Sequence, residues 1–100
     1  MLINYWKLLK NNHKMVKVLY FGRVREDLGI SEESYEFSGN LNLLLELIKE
    51  RHQNMQNLIE GVLGSNSDIA IAKNLEYLTT LSSEISNEDE IAFIPPISGG

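Results

Sequence analysis

Asn40-Leu41-Asn42-Leu43-Leu44-Leu45-Glu46-Leu47-Ile48-Lys49-Glu50-Arg51-His52 carries the clearest periodicity in the sequence. Leu41, Leu44, Leu45 and Ile48 recur at the i, i+3, i+4 and i+7 positions that share one side of a helix. Glu46, Lys49, Glu50 and Gln53 fall largely on the other side. Asn40 supplies an N-cap, because its side-chain oxygen can take one of the backbone N–H groups that the first turn leaves unpaired. The spacing therefore predicts an amphipathic helix over residues 41–52, which must lay its apolar stripe across a sheet.

The flanking segments supply that sheet. Residues 16–21 are β-branched and aromatic, with Val16, Val18 and Tyr20 on one face, Lys17, Leu19 and Phe21 on the other, and Gly22 as the first interruption. Residues 23–29 form a short helical turn stopped by Gly29, with Leu28 folded inward and the charges outside. Residues 34–37 alternate, with Tyr35 and Phe37 on one side, and read as the second strand of a hairpin-like pair bounded by the acidic Glu32-Glu33. After the long helix, Met55, Leu58, Ile59 and Val62 mark a weaker helix. Residues 69–72 form a strand, Lys73-Asn74 a turn, and residues 76–80 the return strand. Residues 82–87 are a loop plugged by Ile85, residues 88–90 a solvated acidic turn, and residues 91–94 the closing strand. This order is α+β: a mixed sheet covered by a helix on one side.

Bulk properties narrow the roles. One hundred residues with 43% apolar content make one folded domain at residues 15–94. No cysteine is present, which excludes disulfides and thiolate catalysis and favours a cytoplasmic location. The net charge of −5 and the nine scattered basic residues argue against nucleic acid and for a basic partner surface. No apolar run reaches the ~18 residues of a membrane span. Residues 1–14 place Leu2, Tyr5, Trp6 and Leu9 at helical spacing among lysines, either as a short docking helix or as an extension ahead of the native start.

Within the domain, a search for chemistry is negative. His13 and His52 lie in separate elements without a companion carboxylate at ligand spacing, so no metal site is expected and both read as exposed histidines. No serine sits in a nucleophile elbow, and Gly61-Val62-Leu63-Gly64 lacks the Lys-Ser/Thr of a phosphate loop. Attention moves to residues 95–100, Pro95-Pro96-Ile97-Ser98-Gly99-Gly100, an uncharged tail. The prolines stiffen it and the glycines make its tip slender enough to thread a narrow opening. A carboxylate on Gly100 is a poor electrophile until an ATP-consuming enzyme converts it to an acyl-adenylate, which a sulfur donor or an amine can attack.

The segment opening at Met15 (MVKVLYFGRVREDLG), the hairpin Ile71-Ala72-Lys73-Asn74-Leu75-Glu76-Tyr77, and above all Asp89-Glu90-Ile91-Ala92-Phe93-Ile94 followed by Pro-Pro-Ile-Ser-Gly-Gly resemble the small subunits of molybdopterin synthase. The resemblance implies a ubiquitin-like β-grasp fold. It also implies that Gly100, preceded by Gly99, is adenylated by a ubiquitin-activating-type enzyme, receives sulfur from a donor protein as a thiocarboxylate, and supplies it inside the large subunit. The domain would bind no cofactor itself and would carry no catalytic side chains; ATP is consumed by the activating enzyme. By the same resemblance, Phe21, Tyr77 and Ile94 contact the large subunit. Lys73 departs from the apolar residue commoner before Asn74, and Ile94 from a commoner phenylalanine. A ubiquitin-like modifier that forms isopeptide bonds, or a carrier for thiamin or tRNA thiolation, would use the same tail chemistry.

Overall fold

Val16–Tyr20 forms strand β1, whose alternation shows a sheet with one covered face: Val16, Val18 and Tyr20 are buried, Lys17 is exposed and Leu19 is half-buried. The structure, a computed structural model, describes residues 15–64 and 67–96. Gly22–Leu28 is helix α1, Glu32–Tyr35 is β2, Gly39–Asn40 is β3 and Leu41–Arg51 is α2. A 3-10 turn at Gln53–Met55 leads into α3, Gln56–Leu63. Ala70–Lys73, Glu76–Tyr77, Glu84–Ile85 and Glu90–Ile94 are β4 to β7. The five-stranded sheet has the order β2-β1-β7-β4-β5, with β1 and β7 parallel and every other pair antiparallel; β3 and β6 form a separate two-stranded sheet.

Helix α2 forms as its spacing predicts. The Asn40 side-chain oxygen accepts the Leu43 N–H at 2.9 Å, a cap worth about 1 kcal/mol. Leu41, Leu44, Leu45 and Ile48 are all buried against Val16, Val18, Tyr20, Ile71, Ile91 and Phe93 of the sheet. Each such side chain contributes about 1.5–3 kcal/mol by leaving water. Lys49 and Arg51 in the last turn suit the negative end of the helix dipole. Gly29, at φ 77°, terminates α1 in the left-handed conformation expected of it. Val24 is the fully buried residue of that helix, while Leu28 packs at the core's margin.

Several boundaries differ from the sequence reading. Strand β2 includes Glu32 and Glu33 and stops at Tyr35, before Phe37. Charges are tolerated there because β2 is an edge strand, and Glu33, opposite Val18, is an inward-pointing charge of the kind that protects an edge. The return strand ends at Tyr77 rather than at residue 80: the Leu78 N–H still bonds Ile71 at 2.8 Å, but Thr80, Ser82 and Ser83 then satisfy one another in a turn. The loop over residues 82–87 contains β6, which places the buried Ile85 opposite Gly39. The closing strand β7 begins one residue earlier, at Glu90, and lies between β1 and β4.

His52 also corrects the expectation of an exposed histidine. Its side chain is 20% exposed, and its Nε2 bonds the Glu33 carboxylate at 2.7 Å. The same carboxylate accepts the hydroxyls of Tyr20 and, at 2.9 Å, Tyr35. Arg51 lies 3.8 Å from Glu33 and stacks 4.6 Å above the Tyr35 ring. One carboxylate thus ties the end of α2 to β1 and β2. Burial opposes its charge, yet the hydrogen bonds from Tyr20, His52 and Tyr35 outweigh burial and hold Glu33 below the usual carboxylate range. Burial, followed by the hydrogen bond to Glu33, raises both Tyr20 and Tyr35 above the ordinary phenol range.

Candidate docking face and tail root

Among the described residues the helices pack on one side of the five-stranded sheet, and no described helix covers its other face. The strand registers align Glu32, Leu19, Ala92, Ala72 and Tyr77 in one row across all five strands. Continuing the β1–β7 register sets Phe21 beside Ile94, and Ile94 is opposite Ala70 in β4. Ser34, Lys17 and Glu90 form the polar row below. The open face is therefore apolar over its upper two rows from β1 to β5, small in the middle, with the charged Glu32 at its β2 edge. Phe21 is 45% exposed, Tyr77 is 68% exposed and Ile94 is partly exposed. The three residues proposed from sequence as a contact surface share this face. Leu19, Ala70, Ala72 and Ala92 join them; β-strand parity was the signal that could have found them, once the strand order was known.

Strand β7 carries this face directly into the tail. Pro95 follows Ile94 without a break, and its ring lies against Gly22. A Cβ at Gly22 would meet Pro95 Cγ at 2.7 Å, and Gly22 has φ 53°, a conformation that L side chains resist. Glycine is required there twice over, by backbone conformation and by the closeness of the proline. The role of Gly22 was not legible in sequence, where it marked only the end of a strand. Beside it, Arg23 forms an ion pair with Asp68. Both groups are more than half exposed, which limits the pair to about 0–1 kcal/mol. Ser98, Gly99 and Gly100, with Ile97, lie outside the described residues, as do residues 1–14.

Gly22→Ala is expected to lower stability by about 1–2 kcal/mol from the left-handed backbone alone, and to shift Pro95 off its seat. In a domain of this size that is about 4–8 °C of melting temperature per kcal/mol. Thermal unfolding and the Ile94 amide resonance would report the two effects. An unchanged Ile94 resonance would show that Pro95 is not held by this contact.

The acidic turn is not simply solvated. Asp89 accepts the Ser86 N–H at 2.9 Å through one oxygen and the Asn74 amide at 2.9 Å through the other. Burial opposes ionisation, but these bonds and the charge of Lys73 hold Asp89 below the usual carboxylate range. Lys73 donates to the Glu84 carbonyl at 2.9 Å, which gives this departure from the apolar pattern a structural purpose: it fastens β4 to the chain entering β6.

Among the described residues no group of three or more His, Cys, Asp or Glu side chains is placed to hold a metal. No described helix is long and apolar enough to cross a membrane. A shallow cleft of about 280 Å³ between α2, α3 and β4 is lined by apolar and hydroxyl residues with no ionisable side chain.

A model described as the ThiS family matches residues 18–100. The chain is 32% identical over 88 residues to the molybdopterin synthase sulfur carrier subunit of Chlamydomonas reinhardtii, spanning 85% of this chain and 98% of that one. Among solved structures, it resembles one chain of the complex of subunits 1 and 2 of the molybdopterin-converting factor from Helicobacter pylori 26695. That match has a TM-score of 0.60 and 26% identity, and covers 86% of this chain and 99% of the other. It also resembles small archaeal modifier protein 1 from Methanosarcina acetivorans, with a TM-score of 0.66 and 27% identity over 87% of this chain and 97% of that one. The architecture is the ubiquitin-like β-grasp: a mixed sheet with a helix packed across it.

Proposed function

The chain belongs to the ThiS family, and from that premise we propose that it is the sulfur-carrier subunit of a molybdopterin synthase. An adenylating enzyme couples the Gly100 carboxylate to the AMP part of ATP and releases pyrophosphate. The outer sulfur of a persulfide on a donor protein then attacks the acyl carbon and AMP leaves; a thiol reduces the resulting acyl disulfide, which frees the donor and leaves a thiocarboxylate. The tail carries that sulfur into the active site of the large subunit, where it passes to the pterin precursor. Catalytic side chains belong to the large subunit and ATP to the activating enzyme; this domain contributes a rigid body and a thin arm. A cytoplasmic location is part of this reading.

The observation that carries the proposal is the continuity of face and tail. An open apolar sheet face runs without interruption through Ile94 into Pro95, whose direction Gly22 sets. A partner seated on Phe21, Tyr77 and Ile94 is thereby positioned to receive the arm. Ile94→Asp places a charge in the middle of that contact, and Phe21→Ala removes an aromatic anchor. Each is expected to weaken large-subunit binding by at least about tenfold while leaving the helix-packed core intact. Calorimetric titration with the large subunit checks this, and unchanged affinity in both variants would remove the face from the interface.

The likeness to an archaeal modifier protein favours one second reading, in which Gly100 forms isopeptide bonds with lysines. Intact mass spectrometry after incubation with ATP, the adenylating enzyme and a sulfur donor separates the two. The carrier gains the mass of one oxygen exchanged for sulfur. The modifier is found instead on lysine side chains of other proteins.

A further inference from the structure

Two turns at one end of the sheet hold the described chain's non-glycine residues of positive φ: Asn74 at 50°, Leu75 at 74° and Glu88 at 81°. Asparagine tolerates this region, whereas leucine resists it. Leu75 receives no packing in return, being 92% exposed. The conformation is imposed by its neighbour. Asn74 donates its backbone N–H to the Glu90 carbonyl at 2.8 Å, accepts the Glu90 N–H on its side-chain oxygen at 2.8 Å, and donates its amide to Asp89 at 2.9 Å. The two turns are riveted together, and the rivet holds an apolar side chain out in water. Glu76 next to it and Glu88 in the facing turn are exposed, and neither joins an ion pair among the described residues.

We infer that Leu75 is an anchor that enters an apolar socket rimmed by Lys or Arg on the large subunit, extending the sheet-face contact to the hairpin tip. This rests on the carrier reading above. Two observations point to that partner. Tyr77, on the same hairpin, ends the open-face row, so a protein seated on the face reaches the tip. The two carboxylates beside Leu75 are complemented by basic residues, whereas an acidic rim would repel them and a dry apolar one would desolvate them.

The test is calorimetric titration of the full chain against the large subunit at low and high salt, with Leu75→Asn and with Glu76→Gln combined with Glu88→Gln. Asparagine suits the left-handed backbone, so Leu75→Asn is expected to unfold at the same or a higher temperature than the wild type. It is nevertheless expected to bind at least about tenfold more weakly. The double glutamine variant is expected to bind more weakly at low salt and to lose much of the salt dependence. Unchanged affinity of Leu75→Asn overturns the inference, as does a loss confined to the adenylating enzyme or to self-association of this chain. A wild-type chain that does not bind the large subunit overturns the carrier reading itself, an outcome distinct from a wild type that binds and a Leu75→Asn variant that binds equally.

Discussion

A chain lacking Gly100 is expected to fold like the full chain and to form no productive thiocarboxylate. The core of the described residues runs from Val16 to Phe93, and the fold is expected to rest on it. The chemistry suffers instead. Shortening an extended arm by one residue draws its carboxylate back by about 3.3 Å, and misplacing a reacting group by as little as about 1 Å can cost about 100-fold in rate. The carboxylate of Gly99 would stop short of both the adenylating site and the pterin precursor. The expected result is a loss of at least about 100-fold in reconstituted molybdopterin formation with an unchanged melting temperature. Formation at the wild-type rate would show that Gly100 does not carry the sulfur.

Replacing Glu33 should act on the fold alone. Glu33→Ala leaves the Tyr20 and Tyr35 hydroxyls and the His52 ring without their shared acceptor, in a partly buried site. A cost of about 2–4 kcal/mol is expected, since each stranded donor forfeits about 1–3 kcal/mol and water recovers part of it. The pH dependence has two limbs. The folded state holds Glu33 below its ordinary range, so its stabilisation is present above the unfolded carboxylate's pKa and is lost as pH falls through the lower folded value. The two phenols are raised, so their contribution is complete below about pH 10 and is lost as pH climbs toward their folded values. Glu33→Gln should flatten the acid limb, and Tyr35→Phe should shrink the alkaline one. Denaturant unfolding across pH measures both; a wild-type acid limb in Glu33→Gln would assign that limb to other carboxylates.

Local patterns were legible because they depend on nearest neighbours along the chain. The Leu41, Leu44, Leu45, Ile48 stripe, the Asn40 cap, the Gly29 stop and the alternation of Val16, Val18 and Tyr20 each follow from helix or strand geometry acting on adjacent residues. The resemblance at the tail added the family and its chemistry. Short pairings were less legible: β6 forms only because the distant β3 supplies its hydrogen bonds, and β5 ends where its pairing with β4 gives way to a turn.

What the sequence determined by itself is the inventory: the amphipathic helix, the apolar strands, the neutral tail ending in two glycines, and the absence of any cysteine. Periodicity and side-chain chemistry suffice for these. Only the tertiary structure decided that β7 lies between β1 and β4, that Glu33 gathers Tyr20, Tyr35 and His52, and that Pro95 is seated on Gly22. Apart from the bond between Glu33 and Tyr35, those contacts join residues far apart in the chain, and no local preference encodes them. They arise because the sheet can bury only one face beneath α2, and that choice of face leaves Phe21, Tyr77 and Ile94 together on the other.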